Sequence, residues 1–349
     1  MTDHERVWAS IRHEQPDRCP YQIGFTQKAH ARMVEYLGDA SFAGRISNAI
    51  YGTGANPGPR QGEIRLRAST ACAEDAKPEV RPDFWRDEFG VIWNKTVDKD
   101  IGVVDNCLLP ERTLDGCEFP DAHAPGKFDG FGERVAAGQG KFIQFGIGFS
   151  LFERAWTMRG MENLLVDMME CPEFVDDLLD AICDYNCGLV EQAVEYDIDS
   201  VHFGDDWGSQ RGLIMGPERW RRFIMPRLER QYSLVKAHGK AVSIHSCGMT
   251  TAVIPDLIAI GLDIFNPFQP EVMDVYEMKR LYGDRLSFHG GVSTQQLLPF
   301  GTPLEVKETC RRLMREIGRD GGYIIAPAHG IPGDAKPENI AALMEVVEE

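Results

Sequence analysis

The sequence predicts an α/β chain folded as a (β/α) barrel, with its reactive site on the loops that follow the strands. Three observations predict this. Short apolar runs alternate with longer stretches of helical periodicity, the signature of parallel α/β architecture. The first strand-like run, Cys19–Gly24, leads into Phe25-Thr26-Gln27-Lys28 rather than the glycine-rich loop that an open dinucleotide-binding sheet would carry there. Finally, five different strand ends bear His, Cys, Asp or Glu, which is how a barrel assembles an active site.

The elements follow in order. After Cys19–Gly24, residues 51–139 break the rhythm with many Gly, Pro, Asp and Lys residues and one short β-like run at Gly90–Lys95. This stretch reads as an insertion or lid after the first βα unit, since irregular segments of such length usually carry function. Gly52-Thr53-Gly54 inside it reads as a turn rather than a phosphate loop. Strands are then expected at Phe142–Gly146, Ser200–Gly204, Ala241–His245, Asp263–Asn266, Leu286–His289 and Tyr323–Ala326. Helices are expected at Pro172–Tyr196, Pro217–Lys236, Pro303–Ile317 and Pro337–Val347. Each opens on a proline, whose missing N–H costs nothing in a first helical turn. Residues 1–349 are expected to form a single domain.

Bulk properties exclude several classes of function. The 349 residues are 43% hydrophobic and 26% charged, an ordinary globular composition. The net charge is −17, with 37 basic and 54 acidic side chains. Such a surface repels phosphate backbones and anionic headgroups, so neither nucleic acid nor membrane is expected as a partner. Met1–Ser10 has no apolar core of a signal peptide, and no run approaches the roughly 20 apolar residues that span a bilayer. A cytoplasmic location is expected. The nine cysteines then read as reduced thiols, with Cys171, Cys183, Cys187 and Cys310 as small apolar residues of helices.

The chemistry concentrates at the strand ends. Along Lys240–Gly248, alternation puts Val242 and Ile244 on one face and Ser243, His245 and Cys247 on the other. Imidazole and thiolate both ligate zinc. Spacing alone leaves open a packed thiol beside a hydrogen-bonded histidine. His329 follows the last strand; a closed barrel would bring it toward His245 and Cys247, and a His/Cys/His set with one open position is catalytic rather than structural. The histidine could equally hold its Gly-Pro-rich turn. In His202–Gln210, the adjacent acids Asp205 and Asp206 have opposite phases, so at most one points along the lumen. Asp206 shares the phase of His202 and is the candidate catalytic acid, base or metal partner; capping of the following loop is the alternative. Glu153 and His289 are further catalytic candidates. His202, Trp207, Gln210 and Asn266 are candidates for contact with a small-molecule substrate.

These motifs carry a resemblance. Glu5-Arg6-Val7-Trp8, Pro16-Asp17-Arg18, Arg159-Gly160, Cys171-Pro172-Glu173, Gly204-Asp205-Asp206, Lys240–Gly248, His289-Gly290-Gly291 and Ala328-His329-Gly330 are similar to the uroporphyrinogen decarboxylase superfamily across nearly the whole chain. The resemblance implies a (β/α)8 TIM barrel. His245-Ser246-Cys247 resembles the cobalamin-linked methyltransferase branch. In that branch a cysteine near the last strand is the third zinc ligand; here His329 occupies that neighbourhood, and its His-Gly-Ile turn is shared with the decarboxylases. The decarboxylases bind a many-carboxylate porphyrinogen with an arginine-rich N-terminal motif, whereas Tyr21–His30 offers only Lys28. The methyltransferase branch implies zinc held by His245, Cys247 and His329, which polarises a substrate heteroatom. In one direction a thiol attacks the methyl group of methylcobalamin; in the other an ether oxygen leaves as its methyl group passes to Co(I). The resemblance implies that the cobalamin belongs to a separate corrinoid protein. A decarboxylase-like lyase using Asp206 and His329 without metal is the alternative, and a homodimer is held open.

Overall fold

The computed structural model describes residues 1–57, 62–66 and 79–349. Seven parallel strands follow one another around a single curled sheet in sequence order. They are β1 (Ile50–Thr53), β2 (Phe142–Ile147), β3 (Ser200–Gly204), β4 (Ala241–His245), β5 (Ile264–Phe268), β6 (Ser287–Val292) and β7 (Tyr323–Pro327). The extended segment around Tyr21 lies between the two sheet edges. Gln22 N–H donates to Ile325 O (3.0 Å) and Ile325 N–H to Pro20 O (2.9 Å), while Ala49 N–H donates to Tyr21 O (2.9 Å) on the other side. This eighth stave joins β7 to β1, as the predicted barrel requires.

Two apolar layers hold the barrel. A small inner cluster of Val7, Ala49, Ile50, Phe142, Ala241, Ile264 and Ile324 fills its floor. The helix Asp3–Ile11 closes that end; a capping box between Thr2 and Glu5 satisfies its first N–H groups. The larger cluster lies between the outward strand faces, such as Phe145, Phe203, Val242 and Ile244, and the surrounding helices. Burying apolar surface on both strand faces is what makes parallel strands read as continuous aliphatic runs. The floor residues also fix the alternation. Counting in twos from Ile50, Phe142, Ala241 and Ile264 places Gly52, Gln144, Ser243, His245 and Asn266 inside the barrel.

Two expectations need correction. The stretch beginning at residue 51 starts inside the barrel, because Ile50–Thr53 is a strand pairing in register with Phe142–Phe145. Its four residues include one glycine and one threonine, too little apolar signal to read as a strand, and Gly52-Thr53 is therefore no turn. Beyond it, Gly62–Leu66, Glu79–Arg86, Ile92–Asn94 and Val103–Val104 form an antiparallel sheet, whose third strand matches the expected run. Residues 58–61 and 67–78 of the expected insertion lie outside the described residues. The expected single helix Pro217–Lys236 is three pieces: Pro217–Arg219, a π-helical turn Trp220–Ile224, and Met225–Ala237. Pro226 has no N–H to give the preceding turn, and the wider turn absorbs the missing bond.

The antiparallel sheet is tied to the barrel rim by buried polar contacts. Arg154 pairs with Asp87. Lys127 pairs with Glu88 and also reaches the Tyr185 hydroxyl. Trp93 packs against Phe149 with ring centroids 5.0 Å apart. No described helix is long and apolar enough to cross a membrane. Cys183, Cys187 and Cys310 are buried and free, and Cys171 is half-buried.

Candidate active site

Three strand ends converge. His245 ends β4, Cys247 lies two residues on, and His329 follows β7. Their ligating atoms all lie within 4.8 Å of one another. Cys247 Sγ is 3.4 Å from His245 Nε2, and the His245 and His329 rings are 5.6 Å apart. The Cys247 turn is fixed from outside by the loop after β3. Gly208 N–H donates to Cys247 O (3.2 Å) and Met249 N–H to Ser209 O (2.8 Å). A Cβ at Gly208 would sit 2.5 Å from Cys247 O, so glycine is required for two backbones to approach this closely.

Asn266 decides which nitrogen of His245 faces the cluster. Its amide nitrogen donates to His289 O (3.0 Å), which turns its oxygen toward His245 Nδ1 (2.6 Å). Nδ1 therefore carries the proton, and Nε2 presents a lone pair toward Cys247. Burial holds His245 below the usual histidine range, opposed by Asp206 and Asn266. Burial, reinforced by Asp206 and Glu153, pushes the Cys247 thiol upward, so a cation is what this thiol needs to ionise. Two imidazole nitrogens and one sulfur beside a carboxylate fit a zinc ion with one position left for substrate.

The acid pair divides as the alternation requires. Asp205 is fully buried and serves the helix Phe152–Arg159, whose own N-cap, Leu151, offers no side-chain acceptor. It accepts from the N–H groups of Glu153 (2.8 Å), Phe152 (3.0 Å) and Leu151 (3.3 Å), and from the Trp207 indole. Burial still pushes it up to about 6 against these donors. Asp206 faces the site: it accepts from Cys247 N–H at 2.7 Å and lies 3.7 Å from His245 Nε2. Glu153, on the first turn of the capped helix, is pushed up to about 8 by burial, then by Asp205 and Asp206. It holds its proton at neutral pH, as a general acid must.

The remaining candidates separate. His202 and His289 are inside the barrel, held by burial at about 3 and about 4, both further lowered by His245. His202 Nδ1 is bound to Ser243 Oγ (2.8 Å), whereas the buried His289 Nδ1 has no partner among the described residues. Trp207 does not face a substrate. It has no exposed surface and packs edge-to-face on Trp220, because its indole N–H is drawn inward to Asp205. Asn266 has both ends of its amide engaged by the two histidine strands, so it orients His245. Gln210 does line a cavity of about 610 Å³ at Cys247 and His329. Gln269, Thr294, Gln295 and Asp334, which sequence reasoning missed, share that wall, and none of its described residues is Lys or Arg. Gln269, Thr294 and Gln295 were signalled by their position just after strands, whereas Asp334 lies in the longer loop beyond β7. A cavity of about 560 Å³ at the opposite end, beside His4 and Lys141, has its central acid Asp199 already bound by His4 and Trp8.

Comparison with known proteins agrees with this architecture. Residues 145–349, more than half the chain, match the uroporphyrinogen decarboxylase (URO-D) family model. The chain belongs to the uroporphyrinogen decarboxylase family. It is similar to the uroporphyrinogen decarboxylase of Chlorobaculum tepidum, 22% identical over 182 residues that cover 51% of this chain and 50% of the relative. It is also similar to a methylated-thiol–coenzyme M methyltransferase of Methanosarcina mazei, 23% identical over 198 residues covering 57% and 51%. The chain thus spans about half the length of the curated relatives it matches. Among solved structures, a methyltransferase from Methanosarcina mazei shares the fold, with a TM-score of 0.72 and 16% identity over 100% of this chain and 98% of that one.

Proposed function

We propose that this member of the family is a zinc-dependent methyltransferase, moving a methyl group between a small-molecule methoxy compound or thiol and the cobalamin of a separate corrinoid protein. The observation that carries the reading is the convergence of His245, Cys247 and His329 within 4.8 Å, at strand ends separated by up to 84 positions in the sequence. When bound, zinc would act as a Lewis acid on the substrate heteroatom and stabilise it as a thiolate or leaving alkoxide. Everything else falls to the chain's own side chains. Asn266 holds His245 in the tautomer that offers Nε2. Asp206 fixes the Cys247 backbone at N–H and brings its charge to the cluster. Glu153 keeps a proton near neutrality, suited to protonating a departing oxygen. A relative named for methyl transfer from methylated thiols supports this reading.

A second reading is a decarboxylase-like lyase without metal, favoured by the names of several relatives and by the protonated Glu153 beside Asp206. A porphyrinogen bearing many carboxylates would need free cations, and the cavity wall at Cys247 contains none among its described residues. The deciding experiment is metal analysis of protein purified without chelators, together with methyl transfer to cob(I)alamin from a panel of methoxy compounds and from methylcobalamin to thiols. About one zinc per chain with measurable transfer is expected. Metal-free protein that turns over uroporphyrinogen would replace this reading with the second.

A further inference from the structure

Three adjacent staves of the barrel's upper wall present glycine in place of side chains. Gly52 and Gly54 follow the inward phase of β1, Gly146 and Gly148 that of β2, and Gly204 that of β3. None of the five has a positive φ, so their backbone does not call for glycine. Nor does crowding: among the described residues a Cβ at Gly52 or Gly148 would meet nothing within 4 Å, and at Gly146 only Thr53 O at 3.8 Å. Gly52, Gly146 and Gly148 are solvent-exposed although they belong to the barrel wall or its rim. Barrel interiors are ordinarily filled by bulky branched side chains, and strands favour them too. Here the chain leaves the space open on the side across from Asn266 and His289 in the strand order, with Gly204 directly beside His245.

We propose that this glycine wall is the subsite for the body of the methyl-bearing substrate, and that this body is bulky and uncharged. The inference rests on the methyltransferase reading and names its substrate class. Size follows from the space, which continues under the antiparallel sheet as a cavity of about 260 Å³ bordered by Gly54, Gly146, Gly148, Phe149, Lys127 and Arg154. A flat peptide wall with imidazoles opposite admits a ring-sized group and leaves its methyl end toward Cys247. Charge follows from the neighbours. The two cations that reach the cavity are already paired, Lys127 with Glu88 and Arg154 with Asp87. Asp206 carries its charge beside His245, so an anionic substituent would be repelled from the metal-site end, and both cations at the cavity already face carboxylates. One donor remains: the buried Arg154 Nε–H has no acceptor among the described residues, and an ether or hydroxyl oxygen on the substrate body supplies one.

The test is equilibrium binding to the purified full chain, with anisole as the bulky uncharged probe and 4-methoxybenzoate as its anionic counterpart. Ligand-observed NMR needs no cobalamin, so the result stands whether or not methyl transfer is found. Failure of transfer would count against the methyltransferase reading; failure of binding counts against this subsite. Anisole should bind the wild type more tightly than 4-methoxybenzoate. Gly52→Val and Gly146→Val should weaken anisole at least about tenfold, while Gly44→Ala, whose added Cβ also meets nothing, should not. Valine suits an extended strand; should either variant unfold, Gly146→Ala gives a smaller loss in the same direction. No anisole binding by the wild type, stronger binding of 4-methoxybenzoate, or equal binding by wild type and the folded Gly52 and Gly146 variants would each overturn the proposal.

Discussion

Asp205 and Asp206 are adjacent and chemically identical, yet their substitution by Asn should have opposite consequences. Asp205 uses both oxygens: Oδ1 takes the Leu151 and Glu153 N–H groups, and Oδ2 takes Phe152 N–H and the Trp207 indole. Asn keeps one oxygen and turns an NH2 toward two donors, leaving both unsatisfied at about 1–3 kcal/mol each. The two lost bonds together cost about 2–6 kcal/mol. With an unfolding entropy of about 0.7 kcal/mol/K for a chain of this length, Tm should fall by roughly 3–8 °C. Asp206→Asn keeps an oxygen for Cys247 N–H and is partly exposed, so Tm should hold within about 1 °C. Its charge beside His245 is lost, and turnover should drop at least about tenfold. Differential scanning calorimetry and methyl transfer to cob(I)alamin, run on both variants, separate the two roles. Normal turnover in Asp206→Asn together with abolished turnover in a fully stable Asp205→Asn would refute the assignment.

Three further outcomes are expected. Cys247→Ala should lose zinc by metal analysis while its melting curve stays cooperative, because a catalytic metal contributes less to folding than a structural one; full occupancy in the variant would remove Cys247 from the ligand set. Glu153 has a folded pKa of about 8 against an ordinary 4.5, so its contribution to stability is complete below pH 4.5 and is lost as pH rises through 8. Glu153→Gln should therefore flatten the stability profile between those limits and abolish the fall in methyl-transfer rate above pH 8; an unchanged profile in denaturant melts across pH 4–9 would disprove the shift. Conversion of uroporphyrinogen to coproporphyrinogen should be negligible, since Lys28 is the only cation in the N-terminal stretch and the Cys247 cavity wall has none among its described residues; robust product formation by chromatography would reverse this.

The strand ends were legible because parallel barrel strands bury both faces. Ser200–Gly204 and Ala241–His245 appear in the sequence as apolar runs with the same limits that the structure shows. Period-two alternation then placed His245 and Cys247 on one side and split Asp205 from Asp206, using nothing beyond local backbone geometry. Ile50–Thr53 was not legible, because its place in the wall depends on pairing with Phe142–Phe145, some 90 positions away. Trp207 shows the same limit. A tryptophan after two acids could face either way, and the buried Asp205 carboxylate draws it inward.

The sequence by itself determined the alternating α/β order, the acidic surface and the phase of each chemical side chain along its own strand, because these are set by composition and by periodicities of a few residues. Only the tertiary structure decided which strand ends meet. His329 comes within reach of His245 and Cys247 through barrel closure, with the stave at Tyr21 joining β7 to β1. The tautomer of His245, the raised pKa of Glu153 and the open glycine wall are likewise products of enclosure: each depends on what lies across the lumen or seals it from water, and no local pattern encodes that.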